Sequence, residues 1–551
     1  MILREIKNCN ASLSSFSPLK NFIAYALKSQ TFVRSIADFN LICDFKCVGL
    51  IDEIIWSSDA EYICCVVKQK SAIQVFSMED NACCCHIDAS EYLGIQDAFW
   101  TPDSQNIMVL SELSAFFTVW ALSNQWITTL SSPKNSNSSF AFSPDGRFLS
   151  MLEMVNGKDI LHFYDTEDSN WCRFLSASLP TRDAESVHWS PNGRYIIVFD
   201  SYLYDSIAIL NSDGTTLHSL NLYSENFGNN PASRFALGIR SFHWAPSGHI
   251  LAVGRYDNSC LLYNHANWKI LAELKHPLDK PIDPILGLDR SGDVIEARFA
   301  RSLLVKPHKV AIYIERLSKE QPYYGPPLLT STRAEEVKDA YIISKLPYTV
   351  KSVKVDPKKS NPMIGVGLCL FSPNGRYLVT RVENAPHAIW VWSIGSLHIS
   401  LEGLLCHSSA VTCVQWDPRS LPTEFTRLAF CTASGRVFIW SPKGCLSMTV
   451  EKPGLPFPVR SLTWRPSGDT LLLQSSKSFC LLHLNSEEGE AIFKPLEPVW
   501  TAPSRGRDPL EEHNRDPQTP ASRGTFPADE KSDLPKWALS AHRLTRKTLI
   551  E

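Results

Sequence analysis

Three groups of residues in this 551-residue chain carry chemistry beyond packing. The run Cys83-Cys84-Cys85-His86 sets three thiols beside an imidazole, the ligand types that hold zinc. Neighbouring residues on a strand point to opposite faces, so this run cannot send four ligands to one ion, and no second ligand pair accompanies it. It reads as the last strand of a repeat. His188 and His243 each precede a tryptophan within an apolar run, the placement of a structural histidine in a strand. Arg147, Arg194 and Arg376 each follow Asp-Gly or Asn-Gly, on the turn into a strand. Three guanidinium groups at equivalent positions would line one rim and attract an acidic segment, or simply be solvated. Phosphate-binding Gly-Lys-Ser/Thr loops, His-Glu-x-x-His helices and Gly-x-Ser-x-Gly elbows do not occur. The sequence therefore points to no catalytic, cofactor-binding or metal-binding residue, and neither an enzyme nor a cofactor is expected.

The elements that position these residues repeat. An apolar strand ends in an aromatic followed by a small or polar residue and usually Pro: Phe16-Ser-Pro, Trp56-Ser-Ser-Asp, Trp100-Thr-Pro-Asp, Phe142-Ser-Pro-Asp-Gly, Trp189-Ser-Pro-Asn-Gly and Trp244-Ala-Pro-Ser-Gly. After a gap come Phe371-Ser-Pro-Asn-Gly, Trp416-Asp-Pro and Trp464-Arg-Pro-Ser-Gly. The anchors are spaced by 40, 44, 42, 47, 55, 127, 45 and 48 residues, against the roughly 40–45 of WD40 blades. Pro presets φ for the turn and Asp/Asn-Gly permits the positive φ that reverses the chain. A second apolar strand follows, then a third ending in an aromatic (Phe76, Trp120, Tyr164, Tyr263, Trp392, Trp440), then a fourth. Four short strands make one blade, which cannot cover its own aromatics and needs a neighbour. The fold class is all-β: a WD40-type β-propeller of about eight to nine blades, in a single large ring or two unequal parts. Gly-His and Trp-Asp dipeptides are nearly absent. Trp416-Asp417 lies in a first strand, so the hydrogen-bonded tetrad of standard repeats cannot be assumed.

Blades one to six span 1–275 and the last three 366–486. Between them, 276–365 opens with Pro277, Pro281 and Pro284 and holds the strand-like runs Lys309–Glu315 and Tyr348–Val355, which read as a degenerate blade swollen by surface loops. From 487 to 551 the chain is polar and proline-rich, the composition of a disordered tail. Near its end the spacing of Trp537, Ala541, Leu544 and Thr548, with Arg543, Arg546 and Lys547 on the other side, reads either as a short amphipathic partner-binding helix or as a frayed terminus without a role.

Composition agrees with a soluble protein: 44% hydrophobic, 20% charged and a net charge of −3, which asks for neither nucleic acid nor an anionic membrane. No apolar run of about 18 residues occurs, and the charged start Met-Ile-Leu-Arg-Glu-Ile-Lys lacks a signal-peptide core. Of sixteen cysteines, Cys64, Cys65, Cys260, Cys369, Cys431 and Cys480 sit in apolar strand-like runs and read as reduced, buried small hydrophobes.

Residues outside the generic blade pattern are more specific. Asn361-Pro-Met-Ile-Gly-Val-Gly, Leu378-Val-Thr-Arg381, Asn384-Ala-Pro-His-Ala-Ile-Trp-Val-Trp392, Trp440-Ser-Pro-Lys-Gly-Cys445 and Leu251-Ala-Val-Gly-Arg-Tyr-Asp257 resemble the centrosomal WD-repeat family known as WD-repeat protein eight, also described as encoded antisense to a p-fifty-three relative. The likeness runs from the first repeat to about Glu487; segments 285–307 and 419–426 and the tail look like additions. The resemblance implies a non-enzymatic scaffold at centrosomes, centriolar satellites and spindle poles. Its implied partners are a coiled-coil satellite protein, other pericentriolar proteins and, in fungi, a minus-end-directed kinesin. Its implied work is anchoring microtubule minus ends, supporting spindle assembly and early cilium formation. It supplies no site residues. A propeller in translation initiation, or a substrate receptor of a ubiquitin ligase, is the alternative expectation.

Overall fold

A computed structural model describes residues 2–3, 7–9 and 13–484, apart from 124–125, 136–137, 169, 222–236, 283–310, 316–340, 345–347, 357–362, 396–398, 421, 423–424 and 453–454. The expected tail and its helix lie outside the described residues.

Each of the nine aromatic anchors ends the first strand of a separate sheet: Ser14–Phe16, Glu53–Trp56, Asp97–Trp100, Phe140–Phe142, Ala184–Trp189, Ile239–Trp244, Val366–Phe371, Val411–Trp416 and Ser461–Trp464. Within each sheet the strands that follow the anchor strand along the same blade are antiparallel and in chain order. First strands of neighbouring blades lie against each other, as Ile239–Trp244 does against Val366–Phe371, so they are innermost. Fourth strands such as Leu41–Lys46 and Arg173–Ser178 are largely exposed and form the outer wall. Among the described residues there is no α-helix, only three short 3-10 turns.

Apolar side chains of each blade meet those of the next. Phe45, Trp56, Ile63 and Phe76 fill the space between blades one and two. Val379, Val391, Phe430 and Trp440 do so between seven and eight. Ile23, Tyr25, Leu472 and Phe479 join blade nine to blade one. Every consecutive pair shares such a core, nine in all, so the blades form one closed ring. Burying one large apolar side chain is worth about 1.5–3 kcal/mol, and here that gain exists only between blades.

Among the described residues, blade nine's own stretch supplies three strands, Ser461–Trp464, Thr470–Gln474 and Ser478–His483. Its outer edge is completed by the N-terminus, with Ile2 opposite His483, Leu3 opposite Leu482 and Lys7 opposite Phe479. The N-terminal strands and Ser478–His483 therefore close the ring with backbone hydrogen bonds.

The stretch expected as a degenerate blade is built otherwise. Its described strands make no four-stranded sheet; blade six packs directly on blade seven. Pro281–Ile282 pairs with Tyr348–Thr349, and Ile282 and Val350 plug the core between those blades. Ala311–Glu315 runs parallel to the fourth strand of blade seven, Ile399–Cys406, and Tyr341–Ser344 pairs outside it, so blade seven has six strands. With no aromatic anchor to end an inner strand, this stretch contributes Ile282 and Val350 to the seam between blades six and seven and no blade of its own, and its apolar strand extends an existing edge.

Candidate interaction faces

The anchors carry more than bulk. Trp56 Nε1–H donates to the Ser15 carbonyl at 3.4 Å, Trp100 to Ile55 at 3.2 Å, Trp416 to Leu370 at 3.0 Å and Trp464 to Gln415 at 3.1 Å. Each acceptor is the residue just before the preceding blade's anchor. Trp189 reaches the same place by relay: its Nε1–H donates to Ser150 Oγ at 2.9 Å, and that hydroxyl donates to the Ala141 carbonyl at 3.0 Å. A buried indole N–H favours an acceptor, and here it fixes the register of blades two, three, five, eight and nine on the blade before each.

The residue after the anchor takes over the turn. The hydroxyls of Ser57, Thr101, Ser143, Ser190 and Ser372 each donate to the Asp or Asn two positions on. Each accepts the N–H five positions on, from Tyr62, Asn106, Phe148, Tyr195 and Tyr377, at 2.9–3.0 Å. This local device stiffens these five turns. At Gly146, φ is +77° and a side chain would strike Pro102 of the preceding blade's turn, so turns stack as tightly as strands do.

Ion pairs reinforce particular seams. Asp417, 1% exposed at its side chain, takes Arg419 at 2.9 Å and Arg427, and both guanidinium groups also donate to the Gly468 carbonyl of blade nine. Lys134 holds Asp159 at 2.7 Å and Asp183 at 2.8 Å, joining blades four and five. Glu315, on the added strand, accepts from Arg436 Nη1 at 3.0 Å and from Ser408 N–H and Oγ–H at 2.8 Å, tying that strand to blades seven and eight. His407 lies beside it at 3.9 Å, its imidazole pushed down to about 4 by burial.

The sequence-derived candidates fall in separate places. Cys83–Asp88 is the outer strand of blade two; Cys84 Sγ–H donates to the Val75 carbonyl at 3.3 Å, and Cys83, Cys84 and His86 are exposed. Among the described residues no three His, Cys, Asp or Glu side chains are arranged to hold a metal ion. His188 packs on Phe242 with ring centroids 4.4 Å apart, and burial brings its imidazole to about 4. His243 Nδ1 accepts the Phe371 N–H of the next blade at 3.3 Å. Both are structural. Arg147, Arg194 and Arg376 share one face, on turns of blades four, five and seven; Arg147 is engaged by Asp165 at 3.5 Å and Glu167 at 3.6 Å. Of the sixteen free thiols, the six singled out in strand-like runs are all buried.

Strand order divides the ring's surface in two. One face carries the turns between first and second and between third and fourth strands, with their Pro, Asp/Asn and Arg residues. The other carries the turns between second and third strands and the crossovers to the next blade. The second face holds exposed apolar side chains: Leu27, Val48 and Leu50 at blades one and two, Leu93 and Leu113 at blade three, Leu203 at blade five. Sequence reasoning missed these residues because an isolated Leu in a polar turn has no periodicity to mark it.

A family profile described as eukaryotic translation initiation factor eIF2A matches residues 45–219, from blade one's outer strand into that of blade five. The mouse WD repeat-containing protein WRAP73 is 29% identical over 483 residues, covering 86% of this chain and 94% of that protein. An uncharacterized WD repeat-containing protein of Schizosaccharomyces pombe is 28% identical over 181 residues, covering 32% of this chain and 35% of that one. Among solved structures, the C-terminal WD40 domain of Sif2 aligns with a TM-score of 0.43 at 10% identity, covering 88% of this chain and 99% of that one. A eukaryotic initiation factor aligns at 0.48 and 10% identity, covering 80% and 88%.

Proposed function

We propose that this chain, a WD-repeat propeller similar to WRAP73 along almost its whole length, is a non-enzymatic scaffold of the centrosome, its satellites and the spindle poles. In this role it holds a coiled-coil satellite protein and thereby helps anchor microtubule minus ends, with a part in spindle assembly and early cilium formation. The observation that carries the reading is the closed nine-bladed ring, matched by that relative over 86% of this chain and bearing the family-like segments Met363–Gly367 and Asn384–Trp392 on blade seven and its approach. Those segments are structural as well. Trp390 and Trp392 stack at 6.2 Å, and Trp392 Nε1–H donates to Thr380 Oγ1 at 2.8 Å. A rigid disc with two distinct faces suits a protein that organises helical partners. The test is the location of the tagged full chain in dividing cells: foci at spindle poles are expected, and a diffuse signal would overturn the reading.

The eIF2A profile over 45–219 favours a second reading, a scaffold in translation initiation. It predicts co-sedimentation with ribosomal subunits, which the centrosomal reading does not.

A further inference from the structure

Blade three carries two leucines that the fold gives no reason to place where they are. Leu93 lies on the crossover from blade two and is 57% exposed; Leu113 lies on the turn between blade three's second and third strands and is 95% exposed. Both adopt left-handed backbone, φ +61° and +60°. That conformation is unfavourable for a bulky residue, and exposure returns nothing to offset it. Asn or Gly would serve each turn better. The two turns are nevertheless firmly built. Glu112 N–H donates to the Leu93 carbonyl at 3.2 Å, Ser114 N–H donates to Gln96 Oε1 at 3.1 Å, and Gly94 N–H donates to the Ala89 carbonyl at 3.1 Å. Two leucines thus stand on adjoining rigid turns. The charges around them are mainly acidic: Asp88, Glu91 and Glu112 are exposed, while Lys68 is drawn to Asp97 at 3.3 Å and Lys70 Nζ donates to the Val48 carbonyl at 2.6 Å.

We propose that the adjoining turns bearing Leu93 and Leu113 are a docking point for a basic amphipathic helix of a protein partner. Its apolar stripe would cover the two leucines and its Lys or Arg residues would face Asp88, Glu91 and Glu112. This rests on the scaffold reading and assigns it a surface. An anionic membrane is disfavoured by the same acidic groups.

The test uses the purified full chain and a fluorescein-labelled synthetic helix of about 18 residues, leucine on one face and lysine on the other, with a glutamate-for-lysine version as control. Anisotropy is expected to show binding of the leucine–lysine helix, weakening as salt rises, and none of the control. Leu93→Asn with Leu113→Asn should lower affinity roughly tenfold or more with the melting temperature held or raised, since Asn accepts left-handed backbone. Glu91→Lys with Glu112→Lys should weaken binding and flatten its salt dependence. Failure of the native chain to bind the leucine–lysine helix, or equal binding by the double-Asn variant, overturns the docking point. Spindle-pole localisation is scored separately. A chain that localises without binding the helix loses only this proposal; one that binds the helix but never reaches the poles loses only the centrosomal reading.

Discussion

Trp416 shows how much one residue does here. Its ring is 8% exposed, packs among Tyr377, Phe430 and Trp440, and its Nε1–H reaches back to Leu370. Trp416→Ala should cost about 3–5 kcal/mol in denaturant unfolding, as cavity and transfer terms add. Trp416→Phe, which keeps most of the packing and loses the N–H, should cost about 1–2 kcal/mol. Histidines set the pH response. His276 is 3% exposed, its Nδ1–H donates to the Asn258 carbonyl at 2.9 Å, its Nε2 pairs with Thr380 Oγ1 at 2.7 Å, and burial holds the imidazole down to about 4. Its folded value lies below the unfolded one, so the unfolded chain binds the extra proton. Stability is full above about pH 6.5 and declines towards pH 4, by on the order of 1–3 kcal/mol for such a group. Urea midpoints across that range should fall, and His276→Gln should reduce the slope. The anchors and Ser-Pro-Asp/Asn-Gly turns were legible because each carries local φ preferences in its own letters. The indole-to-carbonyl links were not, since their acceptors are backbone atoms some 41–49 positions away.

At the scale of elements, the N-terminal strands and the insertion decide behaviour. Ile2–Leu3 and Lys7–Asn8 complete blade nine, and Gln474 Nε2–H donates to Ser14 O and Oγ at 2.8 Å across the last seam. Removing residues 1–9 should expose the Ser478–His483 edge. Hydrogen exchange there should rise by orders of magnitude and the melting temperature drop by several degrees, while a point substitution on the outer wall leaves both unchanged. Glu315 anchors the added strand. Glu315→Ala leaves Arg436 facing a vacated site and should cost about 3–5 kcal/mol of local stability, read as faster exchange in 311–315 and 403–406. Blade boundaries were readable wherever an anchor ended a first strand. The insertion misled because two apolar runs flanked by prolines look alike whether they form a blade or widen one. The partner strand, 399–406, lies some 90 residues on, beyond any local pattern.

At the scale of the molecule, nine inter-blade cores make a ring whose two faces differ. One face carries the Ser-Pro-Asp/Asn-Gly turns, with Leu19 exposed among them; the other carries the exposed Leu27, Leu50, Leu93, Leu113 and Leu203. Ring closure could not be read from the letters, because blade count follows from a seam between residues more than 400 positions apart. The account's central claim is a scaffold that takes its protein partners on the leucine-bearing face. Affinity capture of the tagged full chain with lysine-reactive crosslinking tests it most directly. Partner crosslinks are expected to concentrate at Lys28, Lys70 and Lys158, on the turns between second and third strands. Crosslinks confined to Lys20, Lys269 and Lys443, on the opposite face, would contradict it.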